Sequence, residues 1–123
     1  MDVNEIITGL KKITGYPVAE SLYSGHDKKY ITFVFQDERP FECADNKVLS
    51  DKVNIYVHLY VPRNYKYTAD KNKIRNYLEE NDFLVESVTP ALENYNGSVT
   101  QGDDYARRIT FDCSIIIPRE SEE

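Results

Sequence analysis

One stretch decides the fold that this sequence predicts: residues 53–61, Val53-Asn54-Ile55-Tyr56-Val57-His58-Leu59-Tyr60-Val61. Its odd-numbered positions are all aliphatic, and its even-numbered positions are polar or aromatic. Since successive side chains of a strand point to opposite faces, this alternation predicts a strand with one buried apolar face. The other, polar and aromatic face is typical of an antiparallel sheet that is partly exposed on one side.

The segments around this strand predict two helices and further strands. Apolar residues at three- and four-residue steps predict a first helix over residues 3–13, which Gly15 and Pro17 end. Thr68 is the predicted cap of a second helix that reaches about Asn81. The other predicted strands are residues 18–23, 30–35, 83–89 and 105–117.

This order of elements predicts a single α+β domain, an antiparallel β-sheet with two helices packed on one face. The predicted domain spans residues 1–118, and residues 119–123 form an acidic C-terminal tail. Residues 37–52 and 90–104 are interpreted as connections, the first with some strand pairing. A length of 123 residues suits one domain that can bury a real core.

Composition excludes several classes of function. The chain has 15 Lys and Arg against 21 Asp and Glu, so its net charge of −6 gives no general attraction for phosphate backbones. We therefore expect no sequence-specific nucleic acid as a partner. No apolar run approaches the ~20 residues of a membrane span, so we expect no membrane partner. The two cysteines make no disulfide framework, which favours reduced thiols in a cytoplasm.

Residues that could carry chemistry are few. Cys43 and His58 could be a nucleophile and its base, but no third group is marked out to orient the imidazole. A loop thiol and a strand histidine are the simpler interpretation. One set of possible metal ligands matches no ligand spacing and is better explained as a solvated acidic surface: His26, Asp27, Asp103, Asp104 and Asp112. We predict no enzyme, no cofactor and no metal site.

Tyrosine is the unusual feature of the composition, with ten copies in a chain that has no tryptophan. A tyrosine side chain offers a large contact area at a small cost in entropy, so exposed tyrosines favour protein interfaces. The predicted interface residues lie on the outward face of the 53–61 strand and in the loop after it: Tyr56, His58, Tyr60, Arg63, Tyr65, Lys66 and Tyr67. Stacking of the loop on single-stranded nucleic acid is the poorer interpretation, because the chain is acidic.

The layout carries a family resemblance over about residues 1–118. An amphipathic first helix ends in Gly15-Tyr16-Pro17-Val18, and a short strand at 21–23 and an aromatic strand at 31–35 follow. The strand 53–60, a helix and a closing strand at 108–115 complete the order. This layout resembles the small tail-terminator (tail-completion) proteins of tailed bacteriophages and of phage-tail-like particles. The likeness is one of element order, size and strand texture, so no site residue is transferred.

The resemblance implies a structural role. Proteins of that family form a ring, usually of six copies, on the head-proximal end of the tail tube, where the ring stops tube polymerisation and meets the neck or head. It implies three partners, namely further copies of this chain, the tail tube protein and a neck or head–tail connector protein. It also implies no catalytic residue, no cofactor, and a place in a virion or tail-like particle assembled in the bacterial cytoplasm.

Two other functions remain open at this point. One is a head–tail joining or adaptor protein of the same size, also without chemistry. The other is a small enzyme or ligand-binding α+β domain, which needs a pocket with converging polar groups. The first residues to inspect for such a pocket are Tyr56, His58 and Asp112.

Overall fold

A computed structural model of the protein describes residues 3–45, 47–94 and 105–119. The elements within these residues are α1 (Val3–Thr8), α2 (Leu10–Thr14), β1 (Val18–Glu20), β2 (Tyr30–Ala44), β3 (Lys47–Pro62), α3 (Thr68–Glu80), β4 (Leu84–Asn94) and β5 (Tyr105–Pro118). The strands form one sheet in the order β1-β2-β3-β5-β4. Only β1 runs parallel to its neighbour, and the other pairs are antiparallel. The predicted α+β class is confirmed.

The core lies between the helices and one face of the sheet. The odd-numbered residues at the centre of β3 are all buried there, as the alternation predicts: Val53, Ile55, Val57, Leu59 and Val61. Ile7 and Leu10 cover them from α1 and α2, and Ile74 and Leu78 cover them from α3. Burial of each such aliphatic side chain contributes roughly 1.5–3 kcal/mol.

Gly9 lies between α1 and α2, and a side chain of α3 fills the space beside it. The Tyr77 hydroxyl donates a hydrogen bond of 2.7 Å to the carbonyl oxygen of Ile6. A Cβ atom at position 9 would collide with this hydroxyl. The predicted end of the helix is observed at Gly15, which adopts φ 76° and donates its N–H to the carbonyl oxygen of Lys11.

The segment 37–52, interpreted from the sequence as a connection, is the outer part of a long β2–β3 hairpin. Its register shifts between Phe35 and Asp37 and again near Pro40. β1 pairs with β2 only as far as Phe33, and β5 pairs with β3 only as far as Ser50. Within the described part of the chain, residues 41–45 and 47–49 therefore have no strand neighbours except each other. We call these residues the arm.

Two smaller differences concern the ends of elements. Thr68 is the first residue of α3 rather than its cap, and Tyr67 stands before it without a capping side chain. β4 continues through Pro90. Proline has no N–H to donate, but β4 is an edge strand, so no hydrogen bond to a further strand is lost there. Residues 95–104 of the predicted connection and the tail residues 120–123 lie outside the described residues.

Candidate functional site

The sheet face opposite the helices carries a row of aromatic rings. Tyr56, His58 and Tyr60 of β3 point to this face and are half-buried. The ring centroids of Tyr56 and His58 are 6.0 Å apart, and those of His58 and Tyr60 are 6.3 Å apart. We call this side of the sheet the open face, since both helical segments, α1–α2 and α3, pack on the other side.

One end of this aromatic row is fixed by stacking. The ring of Tyr60 stacks on Tyr30 at 4.6 Å between centroids, and Tyr30 stacks on Tyr23 at 4.5 Å. The Tyr23 hydroxyl donates a hydrogen bond to the Asp27 carboxylate, and this bond raises the pKa of Tyr23. Each aromatic pair adds about 0.5–1.5 kcal/mol beyond the burial of its area. The stack therefore holds Tyr60 in place on the open face.

His58 has a partner on the neighbouring strand rather than a thiol. Its Nδ1 lies 3.0 Å from the Thr110 hydroxyl oxygen. Cys43 lies on the arm, opposite Val48. At a rise of about 3.3 Å per residue, Val48 stands roughly 33 Å from His58 along β3. A nucleophile–base pair of Cys43 and His58 is excluded by this distance.

The acidic residues do not gather into a metal site either. Among residues 3–45, 47–94 and 105–119, no three histidine, cysteine, aspartate or glutamate side chains come together as ligands. Asp112 pairs with Tyr56 in the middle of the sheet, whereas His26 and Asp27 lie in the loop before β2. Asp103 and Asp104 are outside the described residues.

In the part that is described, no helix combines the length and the apolar character that crossing a membrane requires.

The loop between β3 and α3 is held by its two tyrosines. Tyr65 and Tyr67 pack against the core on the helix side. Tyr16 donates a hydrogen bond of 2.7 Å to the carboxylate of Asp70, and the Tyr65 hydroxyl lies 3.2 Å from that of Tyr16. Burial raises the pKa of Tyr16, and these two hydrogen bonds raise it further. The ammonium group of Lys29 covers the Tyr65 ring at 3.8 Å from the centroid.

The same loop forms one wall of a positively charged cleft of about 580 Å³. Its lining includes Arg63, Lys66 and Arg107 but no carboxylate, and we call it the basic cleft. The guanidinium of Arg107 lies 5.8 Å from the centroid of the Tyr67 ring. A second cleft shares Tyr67, and its lining holds the cations Lys71 and Arg75 together with the carboxylate of Glu86. Of the two, only the basic cleft is lined by cations without a carboxylate.

The arm belongs to the segment 37–52, interpreted from the sequence as a connection with some strand pairing. Phe41 is 54% exposed and Leu49 is 47% exposed. The arm is braced at its base by Arg119, whose guanidinium donates two hydrogen bonds of 2.8 and 2.9 Å to the Asp51 carboxylate. The backbone N–H of Arg119 donates to the carbonyl oxygen of Leu49 at 2.9 Å. The bond from Arg119 holds the pKa of Asp51 below its usual value.

The structure places the seven predicted interface residues on two separate surfaces. Tyr56, His58 and Tyr60 lie on the open face. The other four line the basic cleft just after β3 ends: Arg63, Tyr65, Lys66 and Tyr67. Arg107 completes that cleft from β5, and only the sheet register reveals that it belongs there.

Comparisons with known proteins leave the assignment to physical argument. A scan against protein-family models finds no matching family, and a comparison with curated proteins finds no match.

Proposed function

We propose that this chain is the subunit of a phage-type tail terminator. Copies of it form a ring on the head-proximal end of the tail tube, end tube polymerisation and provide the interface to the neck. The observation that carries the proposal is the open face, where a half-buried aromatic row lies on the side of the sheet away from both helical segments.

A half-buried aromatic row suits association with another protein. Tyr56 and Tyr60 present ring surface together with a hydroxyl group, which can be buried against a partner and still form a hydrogen bond. Tyrosine is also among the residues that contribute most to binding at protein interfaces. A ring subunit needs contact surfaces on two sides, and the open face provides one of them.

The charge balance agrees with the same role. The net charge is −6, and three of the 15 Lys and Arg residues line the basic cleft. A ring around a channel that DNA crosses benefits from a negative lining, because like charges repel and the DNA does not adhere. The six-fold symmetry and the order tube–ring–neck come from the family resemblance and belong to the proposal.

The experiment adds the purified protein to growing phage tail tubes. Electron microscopy then records tube length and the appearance of the ends. The proposal expects tubes of limited length with a ring at one end. Tubes whose length and ends are indifferent to the protein would contradict it. A protein that joins the neck complex but leaves tube growth unchanged would favour the head–tail adaptor.

Variants of the open face show whether that face is the contact. Tyr56→Asp combined with Tyr60→Asp places two charges in the aromatic row and is expected to abolish capping. Because Tyr60 also stacks on Tyr30, Tyr56→Asp alone is the second variant. Tyr56→Phe combined with Tyr60→Phe is the matched control, since it keeps the ring area. Thermal melting is measured alongside. Lost stability with intact capping would show that the face belongs to the core.

A further inference from the structure

The two ends of the β2–β3 hairpin carry opposite charges. Residues 37–51, which include the arm, hold five carboxylates and two cations, and Arg119 adds a third cation at the base of the arm. Arg63 follows the other end of β3 and lies in the basic cleft with Lys66 and Arg107. The charge on each end thus has a counterpart on the other.

Most of the charges at both ends are available to a partner. Asp37 and Asp51 already bind Arg39 and Arg119. Glu38, Glu42 and Asp45 are exposed and form no ion pair among the described residues, although the negative charge of Glu38 helps to raise the pKa of Arg119. In the basic cleft, Arg63 and Lys66 are both exposed. No ion pair within residues 3–45, 47–94 and 105–119 neutralises Arg63 or Lys66.

The two surfaces cannot meet within one molecule. β3 contains 16 residues, which span roughly 50 Å at the usual rise of a strand. The arm lies at its beginning and the basic cleft directly after its end, so one strand holds them apart. Contact between them requires a second copy of the chain.

We infer that the arm of one copy docks into the basic cleft of the next copy. Glu42 of the arm and Glu38 at its base meet the cations of the cleft, and the exposed Phe41 and Leu49 cover the apolar part of its wall, including the Tyr67 ring. A contact between two different surfaces is head-to-tail, and it generates a closed ring when the rotation between copies closes. The inference rests on the proposed function, because it supplies the subunit contact that the ring needs.

Charge reversal on the full chain tests the contact. The arm variant is Glu38→Lys with Glu42→Lys, and the cleft variant is Arg63→Glu with Lys66→Glu. Sedimentation velocity at low salt measures self-association. Each variant alone is expected to weaken self-association at least about tenfold, because placing like charges opposite each other at a protein interface is unfavourable. Lys11→Glu with Lys12→Glu is the control, because it reverses two exposed cations of α2 away from the cleft.

Recombining the reversed surfaces separates a direct contact from a general charge effect. A mixture of the arm variant and the cleft variant again pairs opposite charges at every contact and is expected to restore association. Loss of association in the α2 control, or no restoration in the mixture, would overturn the inference. Association that the single reversals leave unchanged would overturn it as well.

Cross-linking gives a second readout that does not depend on strong association. Cys43 lies on the arm and is exposed, whereas Cys113 is buried. Lys66→Cys adds a thiol at the cleft, and a short bismaleimide is expected to link it to Cys43 of another copy. Each chain then has one thiol at either end, so a ladder of multimers forms. Lys11→Cys is the matched control. The docking would be contradicted if both variants gave equal ladders, or if Lys66→Cys gave no ladder.

The outcomes distinguish this inference from the proposed function. If the protein caps tubes and charge reversal leaves capping and cross-linking unchanged, the ring forms through another contact and only the inference fails. If arm and cleft couple between copies but tubes ignore the protein, the inference stands and the terminator function fails.

Discussion

The two halves of β3 lie in different surroundings. Residues 53–61 have a strand on both sides and helices over one face, and their odd-numbered side chains are buried. Residues 47–49 have only β2 beside them, and Leu49 is about half exposed. The same strand therefore contributes to the stability of the fold at one end and to its outer surface at the other. We expect changes at the buried odd-numbered positions of residues 53–61 to act on folding, and changes at residues 47–49 to act on association.

Two leucines of β3 give the largest expected difference between these halves. Leu59 is fully buried and Leu49 is 47% exposed. Leu59→Ala removes buried methyl groups and leaves a cavity, so we expect it to lower the free energy of unfolding by about 2–5 kcal/mol. Leu49→Ala is expected to change it by less than about 0.5 kcal/mol, as at most exposed positions. Urea denaturation measures both. Equal losses would show that the arm is part of the core.

Gly9 tests how tightly the helices close over the buried half. Helix propensity alone predicts that Gly9→Ala stabilises the protein by about 1 kcal/mol. The new methyl group meets the Tyr77 hydroxyl instead, and overpacking commonly costs about 1–3 kcal/mol. We therefore expect a net loss in thermal melting. Gly9→Ala combined with Tyr77→Phe removes the collision and should recover stability. A stabilising Gly9→Ala on its own would disprove this packing.

The base of the arm has a pH-dependent brace. Arg119 holds the pKa of Asp51 below its usual value of about 3.9. The ion pair therefore contributes fully above that pH, and its contribution is lost as the pH falls through the lowered pKa. Arg119→Ala is expected to speed amide exchange in residues 47–51 near neutral pH. Acid should cause little further loss of protection in this variant, because the ion pair that acid removes is already absent. Equal exchange rates in both proteins would show that Arg119 does not brace the arm. Exchange in residues 53–61 is the internal control.

The two cysteines report the same contrast without altering the fold. Cys113 lies in the core, and burial raises its pKa to about 12. Cys43 lies on the exposed arm. We expect a maleimide at pH 8 to label one thiol per folded chain, identified as Cys43 by mass spectrometry. Rapid labelling of Cys113 would indicate that the core opens.

The sequence predicts the buried half of the molecule better than the exposed half. In residues 53–61 one face meets helices and the other does not, so apolar and polar residues alternate. In the arm nearly all side chains meet solvent, so residues 41–44 and 47–49 show no alternation although they form strands. The grouping of Arg107 with Lys66 depends on how β5 pairs with β3, which spacing along the chain does not reveal.

The most direct test of the central claim is where the protein binds on a tail tube. Gold-labelled protein is mixed with preformed tubes, and electron microscopy counts label at the two ends and along the wall. Our proposal predicts label at one end of each tube and tubes that no longer grow from that end. Label spread along the wall, or tubes that carry none, would contradict it.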